Sequence, residues 1–187
     1  MIDTHAHLDA CDAPVEDVIT RARTAGVTRI VTIGTGIASC RAVLGIAELH
    51  TGVFAALGID PHQAAAAEAG RIDELRALLD HPQAVAVGET GLDGFHTVAT
   101  PIEQRRLLDA QLALAEELGL PVVIHSREAE AETAAALSSF SGPVILHCFS
   151  MVNRVSEVVE RGYMTSFAGQ LTYNSAADLQ AAAREIP

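Results

Sequence analysis

Met1-Ile2-Asp3-Thr4-His5-Ala6-His7-Leu8-Asp9 opens the chain as a short apolar-led run followed by two histidines and an aspartate. Similar short runs recur at Ile30 to Ile33, Val53 to Leu57, Ala84 to Val87, Val122 to Ile124, Val144 to Leu146 and Tyr163 to Phe167. With Met1 to His5 they make seven candidate strands. Their apolar character is continuous rather than alternating, as it is in strands buried on both faces of a parallel sheet beneath helices. Helical patterns separate them: Pro14 to Ala25, Ser39 to Leu49, Arg71 to Leu79, Pro101 to Gly119, Glu128 to Leu137, Asn153 to Arg161 and Ser175 to Arg184. The clearest has Thr100 as its cap, Glu103 in its first turn, Leu108, Leu112 and Ala115 on one stripe, and Gly119 to end it. This alternation predicts an α/β domain, either a doubly wound open sheet or a barrel with seven of its eight strands. The opening stretch chooses between them. A doubly wound nucleotide-binding sheet needs a glycine-rich loop after its first strand, and His5-Ala6-His7-Leu8-Asp9 stands there instead. The chain is therefore read as a TIM-type (β/α) barrel in a single domain over residues 1–187, with no linker or repeat to divide it.

With 187 residues, of which 49% are hydrophobic, one substantial core is within reach. No apolar run approaches membrane-spanning length, and Met1 leads into Ile2-Asp3-Thr4-His5 without a basic or apolar leader. Cys11, Cys40 and Cys148 are an odd number with no C-x-x-C spacing. A soluble protein of the reducing cytoplasm is expected. The net charge is −12, and all twelve basic residues are arginines. Such a chain lacks the broad basic footprint that grips duplex nucleic acid, so a nucleic-acid substrate would be held locally, by metal ions and a few arginines.

His5 and His7 lie two apart at a strand end, so in extended backbone both leave the same face and can converge on one ion. A pair of surface histidines near a turn explains H-x-H equally well. Three further strands end in metal-competent residues, however: Glu89, His125 and His147. In a parallel barrel these ends share one rim, the one that carries active sites. Four histidines and a carboxylate suit zinc or another borderline divalent ion, while magnesium or manganese would need phosphate oxygens and water to complete the shell. If two ions bind, one near His5 and His7 and one near His125 and His147, Glu89 is placed to bridge them and is the candidate catalytic residue. That pocket would attract a phosphate and lower the pKa of a bound water.

D-T-H-A-H-L-D at the start, G-E-T-G-L-D at Gly88 to Asp93, L-P-V-V-I-H-S-R at Leu120 to Arg127 and H-C-F-S at His147 to Ser150 stand in the order and spacing of the TatD family of metal-dependent deoxyribonucleases. The chain resembles that family along its whole length. The resemblance implies a two-metal phosphodiesterase acting on DNA, with His5, His7, Glu89, His125 and His147 as ligands and with His62, Asp93 and Arg127 in the substrate cleft. Asp60 departs from it, since the family usually has histidine in the corresponding G-I-H-P-H. Gly94-Phe95 and Met151 stand where an aromatic pair and a glycine are commoner. Members of the family also continue into an eighth strand whose aspartate completes the first metal site, whereas this sequence ends at Pro187. Glu89, His125 and His147 are then expected to be the chief ligands, catalysis is expected to be poor, and strands one and seven become edges open to self-association.

His50, His81 and His96 read as solvent-exposed, Cys148 as a small thiol packed behind its strand, and Arg105-Arg106 as part of a solvated helix face. Three other functions are consistent with the pattern. An amidohydrolase acting on C–N bonds shares the H-x-H strand, but its common two-metal form needs a carboxylated lysine and this chain has no lysine. Removal of a misattached amino acid from transfer RNA is implied by the family resemblance. A non-catalytic metal-binding remnant belongs to a different class.

Overall fold

A computed structural model describes residues 1–187, and its seven strands form one parallel sheet in the order β1 to β7. The strands are β1 (Ile2–Ala6), β2 (Arg29–Ile33), β3 (Val53–Leu57), β4 (Ala84–Asp93), β5 (Val122–Arg127), β6 (Val144–Leu146) and β7 (Met164–Thr165). Between and after them come α1 (Val15–Thr24), α2 (Ile37–Leu49), α3 (Ile72–Leu79), α4 (Pro101–Leu118), α5 (Glu130–Leu137), α6 (Val155–Glu160) and α7 (Ala177–Glu185). Spatial order follows chain order without the reversal that marks a doubly wound sheet, so the sheet curls as most of a barrel. β1 and β7 end the order and do not pair with each other.

The continuous apolar runs are explained by two-sided burial. On one face Ile33, Ala56, Ala86 and Val123 from four adjacent strands make a small cluster of their own. On the other, Ile30, Val53, Leu57, Val87 and Ile124 join the helices in a core of 37 buried residues. α4 supplies much of that cover through Leu107, Leu108, Leu112, Leu114 and Ala115. Its ends are finished as its sequence predicts: Thr100 Oγ1 accepts from the Glu103 amide, Glu103 Oε2 accepts from the Thr100 amide at 2.8 Å, and Gly119 closes the helix at φ 65°. A cap of this kind contributes about 1 kcal/mol.

Three strands differ from their sequence boundaries by more than one residue. β4 runs to Asp93 rather than stopping at Val87, so Glu89 sits inside the strand and not just beyond it. Its polar residues are all buried, which hides the strand from a hydrophobic reading. β5 likewise continues through His125 to Arg127. β7 shrinks to Met164–Thr165, with Met164 55% exposed, because only β6 pairs with it.

Irregularities in β1 and β4 set up the rim. Asp3 pairs with Ile30 and Ala6 with Thr32, so one extra residue bulges from β1 beside His5. Val87 pairs with Val122 and Thr90 with Ile124, which puts a bulge in β4 at Glu89. Gly91, at φ 150°, permits this close approach of β4 to β5: a Cβ there would fall 1.9 Å from the carbonyl oxygen of His125.

Candidate metal centre

Glu89 projects from the β4 bulge and is 7% exposed. Its Oε2 lies 3.4 Å from His5 Nε2 and 3.8 Å from His7 Nε2, while its Oε1 lies 3.0 Å from His125 Nδ1. The two oxygens of one carboxylate thus face different histidines. His5 and His7 converge with Nε2 atoms 3.3 Å apart, His7 lying one residue past the end of β1. His147, just past β6, stacks on His5 with centroids 3.3 Å apart, and one donor atom each from His5, Glu89 and His147 lie within 4.8 Å of one another. His147 thus lies against His5, and it also stands within the influence of His125.

Burial opposes the charge on Glu89, but hydrogen bonds from His125 and His5 outweigh it and hold the carboxyl well below the usual range. His147 is pushed down to about 4, first by burial and then by the neighbouring His5. His5 Nδ1 is buried without a hydrogen-bond partner. A buried anion ringed by imidazole nitrogens is a donor set that a divalent cation satisfies. The residues present fit such ions.

Asp93, at the end of β4, has a side chain wholly closed to solvent. Its Oδ2 is 3.0 Å from His125 Nε2 and 3.1 Å from His62 Nε2, so the expected cleft residues His62 and Asp93 meet beside the Glu89 cluster. Burial works against the Asp93 charge, and bonds from His96, His125 and His62 hold its carboxyl low nonetheless. For His125 burial is likewise the largest influence, but Glu89 and Asp93 on its two sides raise its pKa. Arg127 ends β5 with its guanidinium 3.8 Å over the ring of Phe95. Two buried glutamines of α4 hold this rim: Gln104 bonds both backbone groups of Asp93, and Gln111 bonds both of Ile59 and the hydroxyl of Thr90.

The bland readings hold in part. His96 is exposed, but its Nδ1 lies 3.0 Å from Asp93 Oδ2, so it belongs to the rim. The signal was available in Asp93-Gly94-Phe95-His96, a turn in which Asp93 Oδ1 accepts the amides of Phe95 and His96. His50 and His81 are half-buried, not open to solvent, and His81 sits 3.0 Å from Glu48. Cys148 is half-buried and bonds the side chain of Gln170 instead of packing behind β6. Arg105 pairs with Asp109 along α4 beside exposed Arg106, as a solvated face does.

A histidine-rich cluster around a buried carboxylate, at the C-terminal rim of a parallel barrel sheet, is the arrangement in which metal-dependent hydrolases of this architecture hold their ions. The model of the family described as TatD related DNase matches residues 2–187, and the chain belongs to that family. It is 36% identical to a Mycobacterium tuberculosis protein named "Uncharacterized metal-dependent hydrolase TatD", over 100% of this chain and 75% of that protein. It is 38% identical to the "3'-5' ssDNA/RNA exonuclease TatD" of Musicola paradisiaca, over 81% of this chain and 60% of that protein. The chain thus spans less than two thirds of that exonuclease. Among solved structures, the TatD homologue YJJV of Escherichia coli superposes with a TM-score of 0.91 at 31% identity, over 100% of this chain and 75% of that one.

Proposed function

We propose that this chain is a metal-dependent phosphodiesterase acting on single-stranded nucleic acid, with DNA as its main substrate, and that His5, His7, Glu89, His125 and His147 hold two divalent ions. The observation that carries the reading is the division of Glu89, whose Oε2 faces His5 and His7 while its Oε1 faces His125. A carboxylate so divided is built to bridge cations. Zinc suits the imidazoles best, and magnesium or manganese serve where substrate oxygens complete the shell. Such ions, when bound, polarise a phosphodiester and activate water.

The chain's own residues do the rest. Asp93 fixes the ring of His125 from the side opposite Glu89, and so orients a ligand. Arg127, braced on Phe95, offers a forked contact to one phosphate, and His62 lines the approach. The similarity to a named single-strand exonuclease supports single-stranded over duplex substrates. The net charge of −12 agrees, since the grip is local. No helix is long and apolar enough to cross a membrane. Three free cysteines support a cytoplasmic setting, and the open β1 and β7 edges, with Ile2 and Met164 over half exposed, support self-association.

The test is to load the purified chain with zinc, manganese or magnesium and supply end-labelled single-stranded DNA, RNA and duplex DNA. Metal-dependent shortening of the single strands, absent in Glu89→Gln, is expected. Tight metal binding with no turnover on any of the three would favour the non-catalytic reading.

A further inference from the structure

Asp93 Oδ2 is the meeting point of three imidazole nitrogens: His62 Nε2 at 3.1 Å, His96 Nδ1 at 3.0 Å and His125 Nε2 at 3.0 Å. Its Oδ1 already accepts two backbone amides, from Phe95 at 2.9 Å and His96 at 2.7 Å. Five donors would therefore crowd a carboxylate that has about four lone-pair sites. A pure hydrogen-bond network has one donor too many. Replacing some of those N–H groups by a cation, with the imidazoles turned into lone-pair donors, removes the excess.

The separations suit that exchange. A tetrahedral site with bonds of about 2.0–2.1 Å places its ligand atoms about 3.3 Å apart, close to the N···O distances here. One donor atom each from His62, Asp93 and His96 lie within 4.8 Å of one another. The carboxylate is fixed in advance, since Gln104 clamps the Asp93 backbone by both its amide and its carbonyl. His62 is oriented in the manner of metal-bound histidines, with its far nitrogen, Nδ1, 3.4 Å from Asp60 Oδ2. An entry path exists, because the side chains of His62 and His96 are 34% and 44% exposed while that of Asp93 is closed.

We propose that His62, Asp93 and His96 form a further divalent-cation site at the outer rim, separate from the centre around Glu89 and loaded independently of it. Two imidazoles and one carboxylate select a zinc-class ion over magnesium or calcium. Three protein ligands leave a fourth position open on the solvent side for an anionic group such as a phosphate oxygen. His125 touches both carboxylates and links the two sites without being needed to define the outer one. The proposal does not depend on nuclease activity.

The test compares four metal-stripped chains, the parent, Glu89→Gln, His96→Ala and the double variant, each titrated with zinc and, for its visible absorption, cobalt. His96 is exposed, so its removal should leave the circular dichroism spectrum unchanged. The parent is expected to bind one equivalent more than His96→Ala, and Glu89→Gln to keep an equivalent that the double variant loses. As an independent check, Asp60→Asn should weaken that equivalent by about 10–100-fold without abolishing it. Equal stoichiometry and affinity in the parent and His96→Ala, or no tight metal left in Glu89→Gln, would overturn the outer site. Loss of nuclease activity in Glu89→Gln reports on the inner centre alone, so the two readings fail separately.

Discussion

The imidazole of His147 lies flat against that of His5, with ring centroids 3.3 Å apart and planes only 10° from parallel. Burial and the adjacent His5 push the pKa of His147 down to about 4, so at neutral pH its ring keeps a lone pair free for a metal. In the metal-free chain this has a sign that can be checked. The unfolded chain takes up a proton on His147 near the ordinary value of about 6.5, while the folded chain resists until about 4. Its contribution is intact above about 6.5 and is lost progressively as pH falls towards about 4. Denaturant titrations of the apo chain across that range should show falling stability, with a shallower slope in His147→Asn. An identical slope in both would remove His147 as the cause.

Glu89→Gln replaces a carboxylate that faces His5, His7 and His125 with an amide that cannot bridge cations. The expected loss is about 10²-fold or more in rate, together with most of the metal at the inner centre. Near-parental cleavage with metal held constant would take Glu89 out of the mechanism.

Arg127→Lys keeps the charge but loses both the planar stack on Phe95 and the two-pronged contact with a phosphate. KM for single-stranded DNA should rise while metal stoichiometry stays unchanged. If metal affinity falls in step with substrate affinity, Arg127 instead serves the fold around His125.

Gln111→Leu fills the same volume but strands the amide and carbonyl of Ile59, which Gln111 bonds at 2.9 and 2.8 Å. Leaving buried backbone groups unsatisfied costs about 1–3 kcal/mol. Urea midpoints measure this directly, and an unchanged midpoint would show that water or another group replaces the glutamine.

Much of the fold was legible because parallel strands covered on both faces are written as plain apolar runs, and because Thr100, Glu103 and Gly119 announce the ends of α4. The strand ends at the rim were not. Glu89 and Asp93 are charged residues inside a buried strand, and their placement depends on a bulge and on glycines that admit close contact, which no hydrophobic pattern records. His5, His7, Glu89 and His125 are legible from residue type and strand position, and they do converge on one another. His96 reads as an ordinary exposed histidine because its residue type does not record the turn that returns its ring to Asp93. Gln104 and Gln111 are silent in the sequence because a buried glutamine on a helix looks like any surface glutamine until its partners are in place.

Those two glutamines lie seven residues apart on α4, two helical turns and about 10 Å along a single rod. One end of the rim, at Ile59 just before His62, and the other, at Asp93, are therefore referenced to the same datum. Sliding or tilting of the helix carries both anchor points together and leaves the gap between His62 and Asp93 nearly unchanged. The spacing of the outer histidines and their carboxylate is insulated from the breathing of the helical layer, much as two marks on one ruler keep their separation however the ruler is moved.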